Sequence, residues 1–411
     1  MNPALQGLLT IIVGVGGCVG YFFFSNLLLD RVIFPARSDD AGANIRRATA
    51  VRPWLFLLPA ILTLGLYLAY PVVETLRLSL TERLPGGRSA FVGLENYAQM
   101  FGEPKFMEAL TNNALWLIVV PAASTAMGLL AAQLTDRIAW GSLAKSLIFM
   151  PMAISFVGAA VIFKLIYEAR DADEAQIGVL NAIWLQFDGG AGSFLVLRAL
   201  PILLFAGFGA MLLYVAWLLV RPLVRREPAG PAMLAGRVVA GGFMALLGVL
   251  ALLQVLDVAT FDFPYGQPQT WLTIPFWNNF FLMIVLIWIQ TGFAMVIISA
   301  ALRGIPEETV EAAIVDGANP LQIFFQIKVP QIMGTIVVVW TTITIVVLKV
   351  FDIVFAMSNG QWETQVLANY MYDKLFRAND WGVGSAAAMV IMLLVTPILV
   401  WNVYNARKEM R

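Results

Sequence analysis

Two groups of residues in this 411-residue chain have types and spacings that could do chemistry. The first is Glu311-Ala312-Ala313, then Gly317, then Ile327 and Pro330, within the stretch EAAIVDGANPLQIFFQIKVP. This is a polar-to-amphipathic interlude between two long apolar runs. A carboxylate, a flexible glycine and an apolar stripe held at a membrane surface suit contact with another protein. The second group is Gln290, Thr291 and Phe293 in one apolar run, with Thr341, Thr344, Lys349 and Asp352 in the next. Polar groups inside membrane runs are expensive and default to functional candidates. Amides, hydroxyls and aromatic faces are the groups that orient a polar ligand in a cavity. Blander readings stay open beside these. Glu311 can be a solvated helix charge, the threonines can bond back to their own helix, and Lys349 and Asp352, three apart on one helix face, can form an ion pair.

The elements that must position these residues are membrane helices. The chain is 60% hydrophobic and 13% charged, with a mean hydropathy of +0.80. A soluble domain carries about 25% charged residues, so the fold class is all-α, a polytopic membrane bundle. Zero net charge argues against a nucleic-acid partner, and membrane lipid is the expected surround. With no histidine, imidazole acid–base catalysis and most zinc sites are excluded. No cofactor or metal is expected. The single Cys18 reads as a small buried hydrophobe, and Gly16-x-x-x-Gly20 as a weak mark of close helix contact.

A spanning helix needs about 20 apolar residues. Nine runs qualify: 4–34, 54–80, 111–135, 146–168, 194–220, 238–257, 279–302, 331–356 and 383–405. Several contain prolines expected to break or kink them (Pro59, Pro71, Pro121 and Pro201). Arg37, Arg46, Arg47, Arg52, Arg137, Lys145, Arg221, Arg225, Arg226, Arg237, Arg303, Lys328, Arg407, Lys408 and Arg411 fall in one set of loops. Only Arg83, Arg88, Lys105, Arg170, Lys374 and Arg377 fall in the other. The richer side is expected in the cytoplasm. That puts the N-terminus outside, the C-terminus inside and the Glu311 segment on the cytoplasmic face. Residues 306–316 read as a short helix begun by Pro306, Glu307 and Glu308 and ended at Gly317. Asn319 and Pro320 begin a second, which runs to Pro330, where the next spanning helix starts.

These residues carry a resemblance. Glu311-Ala312-Ala313, Gly317 and Ile327-x-x-Pro330 resemble the EAA loop of binding-protein-dependent ABC importer permeases, with Val329 where leucine is usual. FVGLENYAQMF with Pro104-Lys105-Phe106, Phe149-Met150-Pro151, Leu302 to Glu308, and Lys349 to Asp352 are similar to the sugar branch, the maltose and alpha-glucoside membrane subunits. The resemblance covers roughly 54–168 and 270–411 and implies a six-helix permease core. Residues 1–53 then add a helix and loop, 54–193 begin the core, and 194–257 insert two helices. Residues 258–411 complete the core, with the coupling loop at 303–330. The resemblance also implies partners: a cytoplasmic ATPase dimer, a second permease subunit, most simply a heterodimer, and an extracytoplasmic binding protein. Glu311 would pair with a basic residue of the ATPase, and the apolar face of 321–327 would fill its cleft. No G-x-x-x-x-G-K-[ST] phosphate loop occurs, so ATP hydrolysis is expected in a separate chain rather than in this one. The expected cargo is a sugar, with Gln290 and Phe293 the positions the resemblance supports best. The alternatives are an ion-coupled secondary sugar transporter, for which intramembrane carboxylates and repeated halves are wanting, and a membrane enzyme acting on lipid-linked sugars.

Overall fold

The computed structural model describes residues 3–35, 41–83, 88–136, 138–225 and 230–409. Met1, Asn2, and the loop charges Arg37, Arg137, Arg226 and Arg411 lie outside the described residues. Among those described, seven helices are long and apolar enough to cross a membrane, or up to nine if each of two bent pairs is one span. The chain divides into two compact units, Met1–Phe106 with Tyr370–Thr396, and Met107–Asn369 with Pro397–Arg411.

The first unit holds α1 (Leu5–Ile33) and α2 (Ala41–Ser79), a two-stranded antiparallel ribbon pairing Thr81–Arg83 with Ser89–Phe91, and α3 (Glu95–Gly102). The ENY of the FVGLENYAQMF motif ties this unit together. Asn96 donates to the carbonyls of Ser79 and Thr81, both at 3.0 Å, and the Tyr97 hydroxyl to Ser79 Oγ at 2.8 Å. These bonds satisfy backbone groups that the end of α2 leaves open. Arg52 pairs with Asp30 at 2.7 Å. Two expectations fail here. Cys18 is exposed rather than buried, and nothing lies within 4 Å of where a side chain at Gly16 or Gly20 would stand. Both follow from α1 presenting its apolar surface outward, as a helix facing lipid can.

The second unit is built on α4 (Pro104–Thr135), α5 (Gly141–Phe149), α6 (Phe156–Ile166), the short α7 (Val179–Trp184), α8 (Ala191–Val224), α9 (Pro231–Thr260) and α10 (Trp277–Arg303). Then come α11 (Glu307–Val315), α12 (Pro320–Gln331), α13 (Met333–Leu348) and α14 (Asp352–Met357); the end of α15 (Leu367–Tyr372) from Tyr370 on, and α16 (Trp381–Glu409) up to Thr396, belong to the first unit. α10 is the axis. It buries 61% of its most apolar window, against 0% for α1 and α2. Its Leu282, Met283, Leu286, Met295 and Ile298 pack with Trp116 and Val120 of α4, Ala159 and Ala160 of α6, Ile343 and Val347 of α13, and Val354 of α14. α8 and α9 pack along each other as a hairpin.

Three departures from the expected helices have local causes. Pro59 and Pro121 sit inside continuous helices, and Pro71, Pro201 and Pro330 each follow a π turn (Gly65–Ala69, Leu195–Ala199 and Ile323–Lys328). A proline cannot donate to the ladder and crowds the carbonyl four residues back. The wider turn absorbs this, so the helix is shifted rather than broken. The 146–168 run is not one helix. Gly141–Ala153 and Phe156–Ile166 meet at 102°, because a 3₁₀ turn forms around Pro151 and Ser155 caps a new helix by accepting from the Gly158 amide at 3.1 Å. The 331–356 run also divides. α12 passes through Pro330 and bends 70° into α13 after Gln331, and α13 ends at Leu348.

α10 is approached too closely for side chains at two glycines. A Cβ on Gly128 of α4 would stand 2.5 Å from Ala294 Cβ, and one on Gly292 would stand 2.6 Å from the Ile148 carbonyl oxygen. Overpacking such a contact costs about 1–3 kcal/mol or more. Gly128→Leu is therefore expected to lower the thermal midpoint of the detergent-solubilised protein, while Gly16→Leu leaves it unchanged. Equal midpoints for the two variants would contradict this packing.

Candidate functional site

The Glu311 segment is a pair of short helices whose ends are built as their residues dictate. Pro306 precedes α11, and Glu307 and Glu308 lie in its first turn, where the helix dipole favours carboxylates. At its other end the Gly317 amide donates to Ile314 O and the Ala318 amide to Ala313 O, both at 3.0 Å. Gly317 sits at φ +79°. This is a Schellman stop, and it needs a residue that enters the left-handed region without strain. Asn319 then forms a reciprocal capping box with Gln322, each side chain accepting from the other's amide at 2.8 Å.

The segment turns Ala313, Ile323 and Phe324 inward, with Ile327 half-buried, and leaves Glu311, Ala312 and Pro330 exposed. The apolar side chains of 321–327 therefore do not all point outward. Only Leu321 and Phe325 do, joined by Ile314 and Val315, which were not singled out in the sequence. Val315 is 85% exposed. Four exposed apolar side chains on two short helices, one of them charged, are the composition of a contact surface. The Glu311 side chain makes no hydrogen bond or ion pair among the described residues. It lines a cleft of about 480 Å³ with Asp136, Arg303, Glu307 and Lys328.

Asp136, just past the end of α4, is a hub that sequence reasoning missed, because its partners are remote in the chain. It pairs with Lys145 and accepts from Ser299 Oγ at 3.2 Å and from Arg303 Nε and Nη2 at 3.2 Å. Lys145 also donates to Ser299. Burial alone would raise the Asp136 pKa, but the hydrogen bonds from Lys145, Ser299 and Arg303 and the charge of Lys145 outweigh it and hold it below 3.8. The hub anchors the helix end from which α11 departs.

The candidate pathway residues fare differently. Gln290 is 7% exposed, and its amide has no hydrogen-bond partner among the described residues. Phe293 and Trp288 each pack half-buried against the core, and Trp288 meets Phe163 edge-on at 5.4 Å. Thr291, Thr341 and Thr344 bond back to Ile287, Val337 and Trp340 of their own helices at 2.7, 2.9 and 2.8 Å. α10 and α13 pack together, so Gln290 and the threonines belong to neighbouring helices. The Lys349–Asp352 ion pair does not form. α13 ends at Leu348, Phe351 has φ −136° and ψ −57°, and Asp352 opens a new helix. A three-residue spacing shares a face only where the helix is continuous.

Residues 190–410 match the family described as binding-protein-dependent transport system inner membrane component. The alpha-glucoside transport system permease protein AglF of Rhizobium meliloti (strain 1021) is 51% identical over 413 residues, 100% of this chain and 99% of that one. The osmoprotective compounds uptake permease protein GgtC of Synechocystis sp. is 36% identical, covering 87% of this chain and 100% of that one. The crystal structure of a bacterial ABC transporter involved in the import of the acidic polysaccharide alginate shares the fold, at TM-score 0.59 and 16% identity over 91% of this chain and 100% of that one.

The depressed Asp136 pKa makes its contribution to stability present above 3.8 and lost as pH falls through its folded value. Asp136→Asn is expected to melt below the parent at pH 7, with the gap closing in acid as the pH falls through the carboxylate's lowered folded value. A pH-independent gap would mean that the carboxylate charge is not what matters. On the match across most of its helices and the identity along its whole length, the chain belongs to the inner-membrane components of binding-protein-dependent transport systems, the permease subunits of ABC importers.

Proposed function

We propose that this permease conducts a sugar, most simply an α-glucoside. It would receive it from an extracytoplasmic binding protein and couple to a cytoplasmic ATPase dimer through α11 and α12. The observation that carries the coupling is the exposed face of Glu311, Ile314, Val315, Leu321 and Phe325. Such a face is worth its exposure only when covered. In this reading Glu311 meets a basic residue of the ATPase. The Schellman turn at Gly317 holds the two helices at a fixed angle, and the Asp136 hub passes their movement to α4, α5 and α10. The motor is a separate chain, and this one is the pathway.

The cargo assignment is supported by the alpha-glucoside relative, which matches the chain end to end. The partnerless Gln290 amide, with Phe293 three residues on along the same helix face, supplies a hydrogen-bonding and a stacking group of the kind a sugar needs. The charge count of the loops supports an outside N-terminus and a cytoplasmic C-terminus. The parts then read as an added helix and loop over 1–53, a core of 54–193 and 258–411, and an inserted hairpin over 194–257. A second permease subunit, with this chain as one half of a heterodimer, completes the pathway.

Glu311→Lys is expected to insert at the parent level, yet to lose sugar uptake and binding-protein-stimulated ATP hydrolysis by more than about tenfold, since reversing an interface charge costs several kcal/mol. Uptake at the parent rate would overturn the coupling role. The sugar retained by the partner binding protein on purification tests the cargo, and a retained non-carbohydrate would overturn that assignment.

A further inference from the structure

Residues 358–366 leave helical geometry altogether. Asn359, Gly360, Trp362 and Glu363 have φ of +55°, +70°, +54° and +62°. A left-handed backbone is uncommon outside glycine and a genuine outlier for a bulky residue such as tryptophan. It persists only where the surroundings over-determine it. Here four asparagines and a glutamate do so. Asn278 donates to the Trp362 carbonyl. Asn112 donates to the carbonyls of Glu363 at 2.9 Å and Gln365 at 2.8 Å, and Asn279 to Glu363 at 3.2 Å. Glu108 and Asn113 accept from the amides of Gln365 at 3.0 Å and Leu367 at 2.8 Å.

The backbone is therefore fixed, yet the Trp362 indole is 48% exposed. It lines a cleft of about 390 Å³ with Trp271, Tyr167, Lys164, Glu168 and Thr270. Trp271 packs on Phe281 at 5.3 Å, near the start of α10, about 30 Å along that helix from Arg303. The cleft is thus remote from Glu311, and it includes none of Gln290, Phe293 or the threonines. An interfacial tryptophan anchor needs no particular backbone, so anchoring alone leaves the strain at Trp362 unexplained. Flat indole faces beside a lysine, a carboxylate and a hydroxyl match a pyranose, which has apolar ring faces and a rim of hydroxyls.

We propose that the cleft between Trp271 and Trp362 is a carbohydrate subsite, in which the indole of Trp362, held out by the asparagine-pinned loop, stacks on a sugar ring at the end of the bundle remote from Glu311. The proposal rests on the sugar reading above.

The single cysteine makes a direct test simple. In a Cys18→Ser background, Trp362→Cys gives the chain one thiol. The complete transporter is treated with a membrane-impermeant maleimide, with and without maltose or trehalose, and with glycerol as control. The expected result is labelling that slows severalfold with the glucosides and not with glycerol. Labelling indifferent to both sugars, or a thiol unreactive without them, overturns the subsite. Separately, Trp362→Ala is expected to raise the KM for uptake about 2- to 12-fold with kcat little changed, the value of one aromatic stacking contact, and Trp362→Phe to restore most of it. An unchanged KM in Trp362→Ala also overturns the subsite. Sugar uptake by the Cys18→Ser parent separates the two levels. A parent that carries no sugar removes the cargo assignment, whereas a parent that does, with Trp362 indifferent, removes only the subsite.

Discussion

An apolar bundle can hold non-helical backbone only if every amide and carbonyl it frees finds a partner, since each one left unpaired in an apolar interior costs several kcal/mol. That constraint organises the second unit. Thr364, Gln365 and Val366 are nearly or wholly inaccessible, yet they belong to a loop with no helical ladder. Asn112, Asn278 and Asn279 replace the missing ladder with side-chain donors, and Asn113 and Glu108 supply acceptors. The N-terminal parts of α4 and α10 thereby hold the loop, and the same two helices meet again at Gly128 and Ala294. Pro71, Pro201 and Pro330 are handled by the same rule, each following a π turn that moves the hydrogen bonds rather than discarding them.

The opposite end of α10 shows a charged version of this solution. Asp136 gathers Lys145, Ser299 and Arg303 where α4, α5 and α10 converge, and α11 begins four residues beyond Arg303. A hub of this kind keeps three helix ends in register while the two short helices beyond it present an exposed apolar face. The geometry suits transmission. The stop at Gly317 and the capping box at Asn319 fix the junction between the short helices, and they attach to the bundle through its most tightly packed helix.

What was legible in the sequence is what is local. The stop at Gly317 and the cap at Asn319 depend on residues within five positions of each other, so their types alone indicated the two short helices. The apolar runs likewise marked helices long enough to span. What was not legible depends on distant partners. Asn112 and Glu363 are 251 residues apart, and Asp136 and Ser299 are 163 apart, so neither network has a local signature. Lys349 and Asp352 misled for the converse reason: their spacing is right for a shared face, but the helix between them ends. Phe324 lies inside the π turn of α12 and is buried, while the next residue, Phe325, stays exposed.

The central claim is that α11 and α12 form the joint through which an external motor moves this pathway. Amide hydrogen exchange across residues 307–331, measured on the assembled permease with and without its ATPase, tests it most directly. The account predicts that the amides of 311–325 exchange more slowly when the ATPase is present, while those of the hairpin 194–257 are unchanged. Equal exchange over 311–325 in the two samples would contradict it.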